Sequence, residues 1–319
     1  MKKVTVVIPN FNGMKYLGEC LESLKAQKGA PFETIVVDNG SSDGSCAWIR
    51  ENYPEVKLVE FSENMGFCRA VNEGIQISRT PYVLLLNNDI QADPLFVEKL
   101  TEAIERHPGA FSCGAKMLQY HRRDLVDDAG NYYNAMGWAF ARGKDRPGKE
   151  YMREEKIFAA CAGAAIYRRK VFQRIGYFDE EHFAYLEDTD IGYRARLYGY
   201  ENWFVPDAVV YHVGSGTTGS RYNEFKTRYS SRNNVYMLYK NMPFWQILLN
   251  SPFLAVGFGT KLLFFGMKGL GREYAAGIKN GIQLCTKEKK VQFTRKMLPR
   301  IWKIQVELWK NIPAGFLRK

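Results

Sequence analysis

Val4-Thr5-Val6-Val7-Ile8-Pro9-Asn10-Phe11-Asn12-Gly13 opens the regular structure of this chain. A short β-branched run stopped by proline predicts a buried strand, and Asn10 to Gly13 predicts a turn. Leu17, Leu21 and Leu24 then fall on one face of a helix, and Thr34-Ile35-Val36-Val37 makes a second strand. That strand ends at Asp38-Asn39-Gly40-Ser41-Ser42-Asp43-Gly44. Strand–helix–strand alternation at this pace predicts an α/β fold with a parallel sheet. Ligands of open α/β sheets sit at the carboxyl ends of strands, where Pro9 and Asp38 stand. Asp38 could accept the imino N–H of a pyrimidine base, or it could close its own Asn-Gly-Ser-Ser turn. Asp43 reads as the cap of the helix containing Trp48 and Ile49.

The alternation continues. Val56–Phe61 is a third strand, and Asn64-Met65-Gly66-Phe67 turns into a helix through Ala70, Asn72 and Ile77. Tyr82-Val83-Leu84-Leu85-Leu86 is the most apolar strand of the front half, so it is expected at the centre of the sheet. It runs into Asn87-Asn88-Asp89, where a carboxylate could hold a hard cation on phosphates or simply shape a turn. Asp93 reads as a helix cap, Phe111–Leu118 as a strand, and the paired Asp127 and Asp128 as solvated loop acids. The small-residue tract Ala159–Ala165 lets a ligand or another backbone approach closely. Val209–Val213 is a further strand, and His212 near its end becomes a metal ligand only with a carboxylate nearby. Gly214–Thr217 reads as a flexible segment. No G-x-G-x-x-G follows the first strand and no G-x-x-x-x-G-K-[ST] occurs, which argues against dinucleotide and P-loop folds.

The acidic stretch Tyr185-Leu186-Glu187-Asp188-Thr189-Asp190 comes next in the argument. Ile191, Ala195 and Tyr198 share a helical face, and Gly199 ends the run. Glu187, Asp188 and Asp190 therefore lie at or just before a helix N-terminus, which favours ionised acids. Asp188 or Asp190 could merely cap the helix. An ionised carboxylate held there could also take a proton from a substrate hydroxyl.

Charge divides the 319 residues. Residues 214–319 hold 19 Lys/Arg against 4 Asp/Glu, and residues 1–213 hold 26 against 30, for a net charge of +11. A basic rear suggests an anionic partner, nucleic acid or membrane. The segment 244–270 is almost wholly apolar and long enough to span a bilayer, yet it contains Pro252 and Lys261. A hydrophobic hairpin or interfacial helix dipping into one leaflet is expected, which favours lipid over nucleic acid. A buried helix of an α-helical subdomain is the plainer alternative. Six scattered cysteines without C-x-x-C argue against a zinc site and against a disulfide framework. With no secretory signal visible after Met1, a reducing, cytoplasmic setting is expected.

The ordered set Val7–Asn12, Val37–Gly44, Asn64–Phe67, Asn87–Asp89, Gly176-Tyr177-Phe178-Asp179 and Tyr185–Asp190 with Arg194 resembles the inverting glycosyltransferases of family 2, over about residues 4–217. Arg232-Asn233-Asn234 with Tyr239–Pro243 is similar to the rhamnosyltransferase-like branch. The resemblance implies a GT-A fold: a mixed, mostly parallel central sheet flanked by helices in a catalytic domain 1–219. A basic, helical, membrane-associating extension 220–319 follows. It implies Asp188 as catalytic base, and Pro9, Asp38, Asn64, Asn88 and Asp89 as nucleotide-sugar-binding residues. Asp89 and His212 would hold Mg²⁺ or Mn²⁺. The implied donor is a dTDP- or UDP-sugar, with dTDP-rhamnose the best guess. The implied acceptor is a glycan or a polyprenyl-linked glycan, with no nucleic acid involved, at the inner face of the cell membrane in a peripheral or monotopic position. Phe178, Phe183 and Tyr185 could wall the acceptor. Asn87 stands where the family's D-x-D has its first acid, which weakens the charge of the metal site. It motivates the alternative of a non-catalytic nucleotide-sugar or membrane-binding module.

Overall fold

The computed structural model describes residues 2–214, 222–286 and 289–316. Strands and helices alternate as β1 (Val4–Asn10), α1 (Met14–Lys25), β2 (Glu33–Asp38), α2 (Ser45–Asn52), β3 (Lys57–Glu60), α3 (Phe67–Ile77) and β4 (Tyr82–Leu86). Then follow β5 (Ile90–Ala92), α4 (Phe96–Arg106), β6 (Ala110–Gln119), β7 (Val126–Asp128), β8 (Asn131–Tyr133), β9 (Ala139–Ala141), β10 (Glu155–Ile157) and β11 (Ala164–Arg168). After these come α5 (Arg169–Ile175), α6 (Glu187–Leu197) and β12 (Glu201–His212). The rear is helical: α7 (Glu224–Asn241), α8 (Phe244–Met267), α9 (Gly271–Gln283), α10 (Leu298–Lys310) and α11 (Ile312–Phe316).

The main sheet runs β10-β12-β6-β11-β4-β1-β2-β3, with β5 on β12 and β7 on β6. β1, β2, β3 and β4 are parallel, and β12 is parallel to β6. β11 is antiparallel to both β4 and β6, so those two share a direction and the sheet is mixed but mostly parallel. β4 is central and buried throughout, as its apolar run predicts.

Both faces of the sheet are covered, which is why its inner strands read as continuous apolar runs. Ile8, Val36, Leu84 and Leu86 pack with Leu17 and Leu21 of α1 and Phe96 and Leu100 of α4. Val7, Ile35, Val83 and Leu85 face the other way, onto Val71 and Ile75 of α3 and Phe172 of α5. Each such side chain contributes about 1.5–3 kcal/mol by leaving water. A third cluster joins Tyr133, Phe158, Tyr193 and Leu197 to Met237 and Leu238 of α7 and Ile301, Ile304 and Leu308 of α10. The rear helices thus pack directly against the element that carries the acidic stretch. Two glycines make the α7–α9 contact close, because Gly277 and Gly281 of α9 lie against Arg228, Ser231 and Arg232 of α7.

Several local expectations change. The segment 244–270 is one helix, Phe244–Met267, that runs through Pro252 rather than a hairpin. The small-residue tract joins the sheet only from Ala164; residues 161–163 form a turn instead. Most of Gly214–Thr217, and the boundary between 219 and 220, lie outside the described residues.

Candidate active site

One cavity of about 620 Å³ opens at the carboxyl ends of β1 and β4. Its wall includes Pro9, Asn64, Asn88, Asp89, Asp188 and His212. Five separate stretches of sequence therefore meet where an open α/β sheet binds ligands. A larger hollow of about 910 Å³, lined by Lys2, Glu33, Thr34 and Lys57, lies at the amino ends of the strands, away from that switch region.

Asp38 is absent from the cavity wall. It is buried, and its carboxylate accepts from Asn10 Nδ2 at 2.7 Å and from the backbone N–H of Ser41 at 2.8 Å. Closing the turn is thus a role the structure gives it. Asn10 passes the contact forward: its Oδ1 accepts from Asn88 Nδ2 at 2.7 Å. Asn88 is held in turn against the start of α1, where any Cβ on Gly13 would collide with both asparagines. Asn64 Oδ1 accepts from Asn39 Nδ2 at 2.9 Å and from the N–H of Gly66 at 2.9 Å, which shapes the turn into α3. Asp43 is not itself the cap position of α2, which Gly44 occupies, but its carboxylate accepts from the N–H groups of Ser45 and Met14 and so joins the starts of α2 and α1.

Asp89 and His212 meet as the spacing of strands alone could not reveal. His212 Nε2 stands 3.3 Å from Asp89 Oδ1, and Nδ1 stands 2.8 Å from Asp127 Oδ2. Burial opposes a charge on this imidazole, but its hydrogen bonds to the two carboxylates prevail and push it up to about 10. Asp127 and Asp128 are not solvated loop acids. Asp127 is largely buried, pairs with Lys144 and orients His212. Asp128 is buried and accepts from the N–H of Gly130 at 2.6 Å; burial pushes it up to about 7. A carboxylate on the far nitrogen of a histidine is the usual support of a metal-binding imidazole. Among the described residues no group of three His, Cys, Asp or Glu side chains could hold a metal ion. An imidazole must give up its Nε2 proton to bind a metal, so Asp89 and His212 would fit a cation only with that proton displaced and with the remaining ligands supplied by a diphosphate and water.

The acidic stretch resolves into three different acids. The cap position of α6 is Leu186, in the left-handed conformation, so neither Asp188 nor Asp190 caps the helix. Asp188 lines the cavity and is half-buried. Its Oδ2 accepts from Asn131 Nδ2 at 2.8 Å and its Oδ1 from the N–H of Thr189 at 2.6 Å. Burial raises its carboxyl above the usual range; these hydrogen bonds oppose the rise without cancelling it. Glu187 is buried with one oxygen unpartnered, and burial beside Asp188 raises it as well. Asp190 turns inward. It accepts from Arg194 at 2.8 and 3.0 Å, from Lys240 at 3.1 Å and from Asn241 at 2.8 Å. Burial acts against its charge, but Arg194 and Lys240 hold it far below the usual carboxylate range.

The approach to Asp188 is strained. Phe183, Tyr185 and Leu186 all have positive φ, at 59°, 72° and 65°. Such conformations cost about 1–3 kcal/mol each and persist only where the surroundings impose them. Asn233 of α7 does so: its Nδ2 donates to the carbonyls of His182, Ala184 and Tyr185 at 2.8–2.9 Å. Phe183 and Tyr185 line the cavity, whereas Phe178 is a core residue. Phe225 and Lys226 of α7 also reach the cavity wall. Asn10, Asp127, Asn131 and Asn233 were not identified from sequence. Asn10 and Asn233 lie inside motifs that drew attention, Asp127 was read only as a solvated loop acid, and Asn131 carried no signal.

Residues 5–176, more than half of the chain, match the profile of the family described as Glycosyl transferase family 2. An N-acetylglucosaminyl-diphospho-decaprenol L-rhamnosyltransferase of Mycobacterium tuberculosis is 27% identical over 239 residues, covering 67% of this chain and 77% of the relative. In fold, the chain is similar to S. aureus TarS 1-349 solved with UDP-GlcNAc, with a TM-score of 0.61 and 17% identity over 99% of this chain and 92% of that one. It is also similar to the mannosyltransferase PcManGT of Pyrobaculum calidifontis, solved with GDP-Man and Mn²⁺, with a TM-score of 0.55 and 15% identity over 96% and 85%.

Proposed function

The chain belongs to glycosyl transferase family 2, and from that membership we propose that it is an inverting, metal-dependent enzyme carrying L-rhamnose from dTDP-rhamnose to a hydroxyl of a lipid-linked glycan. The observation that carries the reading is the meeting of Asp188, Asp89 and His212 on one cavity wall with Pro9, Asn64 and Asn88. The mycobacterial relative, named for an N-acetylglucosaminyl-diphospho-decaprenol acceptor, supports the sugar and acceptor class and a role in cell-surface glycan synthesis. Residues 1–219 act as the catalytic unit. Residues 220–319 extend it to the inner face of the cell membrane.

Pro9, Asn64 and Asn88 bind the nucleotide end of the donor. Asp38 supports them through Asn10. Asp89 and His212 would hold Mg²⁺ or Mn²⁺, which when bound would supply positive charge to offset that of the diphosphate. Asp188 accepts the proton of the acceptor hydroxyl as that oxygen bonds to the anomeric carbon. The bond from that carbon to the diphosphate oxygen breaks, and its electron pair leaves with the nucleoside diphosphate. Attack opposite the leaving group inverts the centre, and Asp188 then returns its proton to water. Its raised carboxyl suits a base, since proton transfer is most effective near the operating pH. Asn131 keeps the carboxylate aimed into the cavity.

The test incubates the protein with a nucleotide-sugar panel including dTDP-rhamnose, with and without Mn²⁺, and measures released nucleoside diphosphate. Release from one donor, lost with EDTA and in Asp188→Asn and Asp89→Ala, is expected. No release, and no donor binding by calorimetry, would overturn the enzyme reading in favour of a membrane-binding module.

A further inference from the structure

α8 carries its polarity inside out. Gln246, Asn250 and Gly257 are its buried positions. Gln246 Nε2 and Asn250 Nδ2 both donate to Gln305 Oε1 of α10 at 2.8 Å, and Gln305 Nε2 donates back to Asn250 Oδ1 at 2.8 Å. Further along, Trp138 Nε1 donates to the carbonyl of Gly257 at 3.0 Å, and Gly257 lies against Met136. The opposite face is apolar and open: Phe244, Leu248, Val256, Leu263 and Met267 are exposed, Met267 by 82%. A helix meant for water has the reverse arrangement.

The two exposed hydroxyls on the outer face behave as they must in hydrocarbon. Ser251 donates to the carbonyl of Leu248 and Thr260 to that of Val256, each at 2.8 Å, so neither depends on water. The apolar surface continues onto α10. There Leu298, Trp302 and Val306 are exposed at helical spacing, and Trp302 packs on Trp245 at 5.2 Å. The same helices and their connections carry exposed Lys268, Arg272, Lys296 and Lys303, within a region of 19 Lys/Arg against 4 Asp/Glu. Charge complementarity points to anionic headgroups around the apolar face.

We propose that α8 lies in the plane of the membrane, with its outer face in one leaflet of an anionic bilayer, and does not cross it. A crossing helix would have to leave the body of the protein, and α8 is bound to that body by hydrogen bonds from Gln246 to Gly257. Its far end packs beside the segment leading into α7: Phe264 lies on Tyr222 at 5.6 Å, three residues before Phe225 on the cavity wall. With α8 in the leaflet, an acceptor keeping its lipid chain in the membrane near this end would bring its sugar toward Asp188. This deepens the membrane reading above and rests on it.

The test uses vesicles of equimolar phosphatidylglycerol and phosphatidylcholine. Single cysteines replacing Leu248, Val256 and Leu263 carry an NBD label, with the labelling of the parent protein subtracted. Lipids brominated at different depths quench each label. Leu248 and Leu263 are about 22 Å apart along the helix axis. Equal, shallow depths for all three labels are expected. A spread of depths approaching that length, with Val256 near the midplane, would overturn the in-plane geometry while leaving membrane association intact. Labels untouched by lipid would overturn both. Leu248→Asp with Leu263→Asp is expected to lower vesicle co-sedimentation by about tenfold or more, since binding follows buried apolar area. Donor turnover without vesicles is expected to stay unchanged, and its absence in the parent protein would count against the catalytic reading alone.

Discussion

Two aspartates one residue apart on either side of Thr189 are expected to fail in opposite ways when replaced by asparagine. Asp190 is fully buried and faces the Arg194 guanidinium and the Lys240 ammonium. Asp190→Asn keeps the shape but leaves Arg194 without its carboxylate; Lys240 retains only Asp179 at 2.6 Å. Breaking one partner out of a buried ion pair costs about 3–5 kcal/mol. At roughly 2–4 °C per kcal/mol for a large domain, that is a fall in melting temperature of roughly 10 °C. Asp188 holds its charge against burial, since its carboxyl is raised. Asp188→Asn removes a charge that costs stability at neutral pH, so the melting temperature is expected to hold or rise slightly. Its transfer rate is expected to fall about 10²–10⁴-fold, the usual contribution of a general base. The assay pairs thermal melts with nucleoside diphosphate release. The pH dependence adds a check. Asp190 has its folded value depressed, so its stabilisation is complete above its unfolded value near about 4 and is lost as pH falls toward the folded one. The gap in stability between parent and Asp190→Asn should therefore narrow below about pH 4. A stability for Asp190→Asn within about 1 kcal/mol of parent would refute the assignment of the two roles, given the size of a buried pair. So would equal destabilisation by both variants.

Three further outcomes follow from the same geometry. Asn131→Ala removes a donor to the ionised form of Asp188 and is expected to move the acid limb of the rate profile up by about 1 pH unit; an unmoved limb would separate the two residues. Asp127→Asn takes the carboxylate from behind His212, and Mn²⁺ affinity measured by calorimetry with nucleoside diphosphate present is expected to weaken about 10–100-fold. Asn233→Ala releases three carbonyls of the left-handed segment before Asp188, at a cost of about 1–3 kcal/mol. Faster hydrogen exchange confined to residues 182–187 with a lower kcat would mark it as a positioning residue, and unchanged exchange there would exclude that.

The sheet was legible in sequence because its inner strands are buried on both faces. β1, β2 and β4 are apolar runs that end at Asn10, Asp38 and Leu86, and the ends of such strands are where the cavity opens. Asp89, Asp188 and His212 stood out because each lies at the edge of a recognisable element. Their neighbours did not. Asp127 reads as one of two loop acids, and its pairing with a histidine 85 residues later depends on β7 lying beside β6 and β6 beside β12. Nor could spacing separate Asp188 from Asp190, since both sit in the first turn of one helix. The difference arises from α7, which brings Lys240 and Asn241 against one of them and leaves the other to the cavity. In α8 the composition alone set length and hydropathy, but which face carries Gln246 and Asn250, and what they meet, came from α10. Strand, helix and turn preferences act over a few residues and are written locally. The partner of a buried polar group is chosen by packing between distant segments, so only the tertiary structure decided which acids hold the fold and which is left to act.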